Sequence, residues 1–485
     1  MGFEIDVRTK PAGVETGESE PFRIAVFGDF SGRANRGAAG GAHAARPIRI
    51  DRDNFDRVLA KIAPVVEVTL EDRAPLMFIP FTSLDDFHPD SLFQRLPLFA
   101  KLRELRKRLA NPATFREAAV AASAPAPAPR PDLPALTGAS LLDQMLEERP
   151  VPEVPRPARA SDLQTFINQI VAGSLVPGKD PEQEQLLART DAAIAEHMRA
   201  LLHHRDFQAL EAAWRALFFL ARRLETGADL QIQVFDLSKQ ELRADLIAAK
   251  DLRGTAFYRH VVTSAQDQPW ALLVGQYAFG ASAEDIELLA RIGMIAGQAG
   301  APFLAAAVPS VLGCEALEGM PDPREWRPDP AAAQFWQALR ELPEAASIGL
   351  LLPRFLLRLP YGEGTIPAEE FPFEEMPAPP AHDEYLWGNP AILCALLLGQ
   401  AFSEDGWGMR PGSIREVPQL PLHIYEREGE SAALPCAEAW LSDRAAEAIL
   451  ERGLMPLVSA RNSDSVLLVR FQSVADPPKP LAARW

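Results

Sequence analysis

"WALLVGQYAFGASAEDIELLARIGMIAGQAGAPFLAAAVP", residues 270–309, carries the alternation that decides the fold class. An apolar run (270–280) precedes a segment of helical period, and a second apolar run (301–309) follows it. Strands that are apolar without a break are buried on both faces, whereas a half-exposed strand alternates. Ser282, Glu284 and Asp285 open the intervening helix, where carboxylates complement the helix dipole. The pattern extends outward. "LQIQVFDLS" (230–238) and "SIGLLLPRFLL" (347–357) read as strands, "KQELRADLIAAK" (239–250) as a helix, and "LMPLVSARNSDSVLLVRFQSV" (454–474) as two more strands. This predicts an α/β (α+β) protein, a mixed sheet flanked by helices and covered on both faces.

Upstream, helices are expected from 161 to about 225. In "DFQALEAAWRAL" (206–217) Asp206 is the expected cap, Phe207, Leu210, Trp214 and Leu217 the apolar face, and Gly227 the end marker. "AILCALLLGQAF" (391–402) is too short for a bilayer and reads as a buried helix. The N-terminal part reads as a smaller α/β domain, residues 21–122. It has strands in "PFRIAVFGDFSG" (21–32) and "APLMFIPF" (74–81), an amphipathic helix in "DRDNFDRVLAKIAP" (51–64), and a cationic helix through 83–110. Residues 1–20 form an arm whose Phe3, Ile5 and Val7 alternate as in a strand.

Proline marks the division. Of the 44 prolines, nine fall in the 38 residues 123–160. So proline-rich a segment buries no core and predicts a semi-rigid spacer. Inside it, "SLLDQMLEE" (140–148) is the exception: Ser140 and Asp143 make a capping box, and Leu141, Leu142, Met145 and Leu146 form an apolar stripe. Residues 161–485 are the larger C-terminal domain.

A net charge of −17 argues against a nucleic-acid partner, which needs a basic face. Cys314, Cys394 and Cys436 lie far apart and show no zinc spacing, which fits a reducing cytoplasm. The N-terminus carries Glu4 and Asp6 where a signal peptide needs an apolar run, so neither export nor membrane insertion is expected.

Motifs of chemistry fail on inspection. The loop at Gly28 and Gly32 continues as Arg33-Ala34, without the Lys-Ser/Thr of a phosphate loop. Asp51, Asp53 and Asp56 miss the calcium-loop register, because Asp56 stands where glycine is required. His203 and His204 are adjacent and cannot share a helix face. No cofactor or metal is expected. One stretch stays open: "RLPYGEGTIPAEEFPFEE" (358–375), with five glutamates. A carboxylate pair there would perform acid–base work if its environments split the pKa values. The alternative is a rigid loop, with Phe371 and Phe373 anchored, the chain strand-like, and the glutamates facing solvent or a subunit. Lacking a partner histidine or aspartate, the structural reading is preferred and an enzyme is not expected.

These residues carry a resemblance. The C-terminal part resembles the large sheath subunit of bacterial type VI secretion systems (ImpC/VipB, or TssC), through "LLDQMLEE", "DFQALEAAWRAL", "WALLVGQYAFG", "YLWGNPA", "GLMPLV" and, above all, the 358–375 run. Arg358, Pro360, Tyr361, Gly362, Glu369, Glu370, Phe371 and Glu374 are its markers there. The N-terminal part resembles the small sheath subunit (ImpB/VipA, or TssB), through "FRIAVFGDFSG", "DRDNFDRVLAKIAP" and "FTSLDDFHPDSL". In that family aspartate is usual where this chain has Gln276.

The resemblance implies a non-catalytic subunit of a contractile sheath, with the two subunits fused and the spacer in place of the chain break. Its partners would be sheath subunits of its own or related type, together with the inner tube, the baseplate and a ClpV-type ATPase. The ATPase would recognise the stripe Leu141, Leu142, Met145 and Leu146. The arm at Phe3, Ile5 and Val7 would be donated to a neighbour's sheet. Large subunits of the family continue beyond the endpoint of this sequence into interlocking strands, so the other reading is an accessory protein that caps or regulates a sheath or baseplate without polymerising.

Overall fold

The computed structural model describes residues 20–37, 41–70, 76–123, 181–377, 379–461 and 463–485. The calls on Phe3, Ile5 and Val7 and on Leu141, Leu142, Met145 and Leu146 lie outside these residues. The chain divides into two compact units, residues 97–194 and the remainder.

The larger unit is built on a nine-stranded sheet among the described residues. Its strands are β1 (Phe22–Gly28), β2 (Ile48–Ile50), β3 (Leu230–Asp236), β4 (Leu272–Phe279), β5 (Phe303–Ala307), β6 (Ile348–Leu352), β7 (Glu416–Val417), β8 (Met455–Ser459) and β9 (Val466–Leu468). They lie in the order β7-β9-β8-β6-β5-β4-β1-β3-β2. From β3 to β8 every pairing is parallel; β2 on one edge and β9 and β7 on the other are antiparallel. Every residue of β1, β5 and β6 is buried; β5 and β6 are unbroken apolar runs, and β1 is one apart from the buried Arg23. The mixed α/β class is the one the alternation predicts.

The position of β1 is what the sequence pattern does not show. It lies between β3 and β4, registered Phe22↔Leu230 to Gly28↔Asp236 on one side and Ile24↔Leu272 to Phe27↔Gly275 on the other. Strands β1 and β2 of the N-terminal segment therefore share the sheet of the C-terminal segment, while Val65–Val68 and Met77–Pro80 pair with each other, and the residues up to Leu96 fall in the same compact unit. The spacer is the expected boundary; by compactness alone the chain divides into residues 97–194 and the remainder. Period and polarity report how deeply a strand is buried, not which strand lies beside it.

Five helices position the regions of interest: α1 (Phe55–Ile62), α2 (Pro89–Arg95), α3 (Arg205–Arg223), α4 (Ala283–Ala299) and α5 (Ala391–Asp405). Helix α5 is apolar all round and buried from Ala391 to Phe402 except at Gln400, as a core helix should be. Helix α4 opens on Ser282, whose hydroxyl accepts from the Asp285 N–H, and closes on Gly300 at φ +64°. Helix α3 buries Phe207, Leu210, Trp214 and Leu217 as expected.

Its ends differ from the reading. The cap is His204, whose Nδ1 accepts from the Asp206 N–H, and the helix stops at Arg223. Asp206 instead accepts from the Asn35 amide at 2.9 Å, and the Gly227 N–H donates to the Leu230 carbonyl in the turn that enters β3. The expected helix through 83–110 is broken into a 3₁₀ turn at Leu84–Phe87, α2, a second 3₁₀ turn at Pro97–Phe99 and a helix at Ala100–Ala110, because Pro89 and Pro97 cannot continue a preceding helix. The strand read at 347–357 is likewise divided. It stops at Leu352, and Phe355–Leu356 turns aside to pair with Trp387–Gly388.

The described residues of the smaller unit are largely helical. Leu109, Phe115, Ala118 and Ala119 form its core with Leu105, Leu186 and Leu187, and Arg106 Nε meets Asp191 Oδ1 at 2.6 Å.

Candidate functional site

The 358–375 loop is held from beneath by its own first and last residues. Arg358 and Glu375 are buried (6% and 2% exposed), whereas Glu363, Glu369, Glu370 and Glu374 between them are exposed. The Arg358 guanidinium lies between two carboxylates. Its Nη1 and Nη2 donate to Glu375 at 2.7 and 3.0 Å, and its Nε and Nη2 donate to Glu211 at 2.8 and 3.3 Å. Glu211 also takes Arg215 Nε at 2.6 Å, and Arg215 Nη2 donates to the Tyr361 hydroxyl at 2.9 Å. The loop closes on itself where the Tyr361 N–H donates to Glu375 Oε2 (2.7 Å) and the Glu375 N–H to the Tyr361 carbonyl (2.8 Å). Arg358 covers the Tyr361 ring at 4.2 Å. Two cations thus meet two anions.

Burial by itself would raise the Glu375 pKa, but the Arg358 charge and the donated hydrogen bonds hold it at about 2. His203 Nε2 stands 3.6 Å from Glu375, beyond hydrogen-bond length, so we assign the lowering mainly to Arg358 and the Tyr361 N–H. Burial would lower Arg358, yet Glu211 and Glu375 raise it well above its ordinary value. Burial pushes the Tyr361 phenol up to about 12. Each group is locked in one protonation state across neutral pH, the opposite of a pair poised for acid–base work.

Phe371 and Phe373 are anchored as expected, and Glu369 and Glu370 are exposed. Two parts of the reading are corrected. The loop follows an irregular path rather than a strand, and its glutamates do not all face outward. Glu375 is buried in the clamp, while Glu374 folds back to accept the Glu363 N–H at 2.9 Å. A Cβ at Gly362 would lie 2.2 Å from Glu374 Oε2, so a side chain there would displace the end of the exposed Glu374 side chain. The backbone of the two exposed glutamates also has a use: the Glu369 N–H (3.0 and 3.1 Å) and the Glu370 N–H (3.0 Å) donate to Asp90 of α2. Phe93 packs on Phe371 with ring centroids 4.8 Å apart.

A second loop, Gly28 to Arg33, leaves the carboxyl end of β1, where doubly wound sheets place their ligands. Here its N–H groups are taken by the protein's own carboxylates. Asp236 accepts from Phe30 (2.9 Å) and Ser31 (3.0 Å), and Asp29 accepts from Arg33 and Ala34 (2.8 Å each). After β4, Asp285 accepts from the Gly280 N–H at 2.7 Å. Trp214 Nε1 donates to the Phe30 carbonyl at 2.8 Å. Gly32 sits at φ +71°, with its missing Cβ position 2.5 Å from the Val65 carbonyl, so the turn excludes any side chain. Gln276 donates to the Ala213 carbonyl at 3.0 Å, a bond that a carboxylate cannot make.

Glu211 and Arg215 escaped the sequence reading. Their signal is a charged i, i+4 pair on the same helix as the apolar face of Phe207, Leu210, Trp214 and Leu217. The three thiols are buried and separate, and burial pushes Cys314 and Cys436 up to about 11. Among the described residues no cluster of three His, Cys, Asp or Glu is placed to hold a metal, and no helix is long and apolar enough to cross a membrane.

The fold and these loops define a mixed α/β protein in which the N-terminal segment is built into the sheet of the C-terminal one. Residues 184–475 match the family VipB (EvpB/VC_A0108, tail sheath N-terminal domain), and residues 4–115 match "Type VI secretion system, VipA, VC_A0107 or Hcp2". Among curated proteins, the chain is 33% identical to the type VI secretion system sheath protein TssC1 of Pseudomonas aeruginosa over 356 residues, 70% of each chain. It is 29% identical to TssB1 of the same organism over 119 residues, 24% of this chain and 69% of that one. The chain belongs to the type VI secretion sheath family, with the small- and large-subunit parts fused.

Proposed function

We propose that the chain works as a prefused repeating unit of a type VI-like contractile sheath, assembling with further copies or related sheath subunits in the cytoplasm and performing no turnover. The observation that carries this reading is the placement of β1. The segment matching the small subunit supplies a central strand to the sheet of the segment matching the large one. Fusion holds the stoichiometry of the two parts at one to one and raises their effective concentration. The inner tube and baseplate are the partners such a sheath requires. In this reading the spacer stripe of Leu141, Leu142, Met145 and Leu146 binds a ClpV-type ATPase, and Phe3, Ile5 and Val7 form a strand donated to a neighbouring copy.

Electron microscopy of the purified chain, alone and mixed with two-chain sheath subunits, tests the assembly. Tubes containing the chain are expected; particles that stay monomeric and never enter tubes overturn the reading.

A further inference from the structure

The contact between α2 and the 358–375 loop has the construction of a recognition site. Asp90 lies in the first turn of α2, and its carboxylate takes the N–H groups of Glu369 and Glu370, while Phe93, three residues on, enters against Phe371. A backbone N–H pair reads the charge, and a buried ring reads the aromatic. Pro89 sets the helix start and thereby the spacing of the two. The N-terminal segment is also held by sheet pairing, apolar packing and polar ties such as Asp236 to the Phe30 and Ser31 N–H groups and Arg33 to Asp236 and Glu241. The α2 contact, however, combines a test of charge and a test of aromaticity within one turn of helix.

We propose that this loop is the element by which the C-terminal segment selects its N-terminal segment, by reading a Pro-Asp-x-x-Phe helix start. The same motif is then accepted from a second copy of this chain. A segment without the carboxylate hands two N–H groups from a charged acceptor to water, and one without the ring removes Phe93 from Phe371, which keeps Phe373. The selection stands on the fold and holds whether or not the chain polymerises, so its failure is distinct from failure of the sheath reading.

The test uses the full chain with a protease site inserted in the proline-rich spacer, cut after purification. Cut wild-type protein carrying a fluorescent N-terminal piece is mixed with unlabelled cut variants, and exchange of the piece is followed. Wild-type pieces should stay bound and exchange slowly. Asp90→Ala and Phe93→Ala pieces should leave at least about tenfold faster and lose in competition, with Asp90→Asn between them. Asp85→Asn, a change at an exposed carboxylate nearby, should exchange as wild type. Exchange of the Asp90 variants at the wild-type rate overturns the proposal, as does separation of wild-type pieces on cutting. Should Asp90→Ala fail to fold, Asp90→Asn and Phe93→Leu decide on the same criterion.

Discussion

The two loops that join the N-terminal and C-terminal segments solve one problem with different chemistry. The 358–375 loop is tied down by a buried guanidinium between two carboxylates. The Gly28–Arg33 loop is tied by carboxylates accepting backbone N–H groups around a glycine at positive φ, with partly exposed ion pairs from Arg33 to Asp236 and Glu241 at its end. A buried ion pair gains little over an apolar core while intact, but losing one partner strands the other charge in low dielectric. A carboxylate on backbone N–H groups fails more gently, because water reaches a half-buried loop. The first loop should therefore be all-or-none and the second graded.

Arg358→Met gives the sharpest test of that contrast. It leaves Glu211 and Glu375 facing each other, and a loss of about 3–5 kcal/mol in urea unfolding is expected. A loss under about 1 kcal/mol would make the two loops equivalent.

Acid should act on the first loop next. The folded pKa of Glu375, about 2, lies below its ordinary 4.5, so the unfolded chain binds the extra proton. The stability this supplies is complete above about pH 4.5 and is lost as pH falls toward 2; Glu375→Gln should flatten that part of the unfolding-versus-pH curve relative to wild type. An unchanged curve would remove Glu375 from the account.

Gly32→Ala should cost roughly 1–2 kcal/mol for the left-handed backbone alone, with more from the contact on the Val65 carbonyl, visible as a lowered Tm. Asp236→Asn should cost less than Arg358→Met, on the order of 1–2 kcal/mol, since one acceptor oxygen remains. Glu369→Gln with Glu370→Gln should stay within about 0.5 kcal/mol, because Asp90 is held by the peptide N–H groups and the side chains are exposed.

Local chemistry was the legible part. The apolar runs at 230–238, 270–280 and 301–309 are strands, α5 is the buried helix its composition demands, and Ser282 caps α4. Phe371 and Phe373 are anchored as their spacing required. Where prolines intervene the reading overran: at Pro89 and Pro97 it missed the breaks, and at Pro353 it carried one strand across a turn. The clamp was half legible. Arg358 and Glu375 were in view as members of a dense polar run, but nothing in that run says which glutamate goes inward.

Burial class, strand and helix content and the mixed α/β architecture were determined by the sequence alone, because they follow from the spacing of apolar side chains along a few residues. Tertiary structure decided that β1 lies between β3 and β4 and that Glu375 turns inward to Arg358 while Glu369 and Glu370 remain outside. Both depend on groups brought together from more than 140 positions away, Glu211 on α3 for the clamp and Leu230 for the register. Such pairings are chosen by the free energy of the whole core and by the cost of leaving a charge or an N–H unmet inside it, which no local window contains.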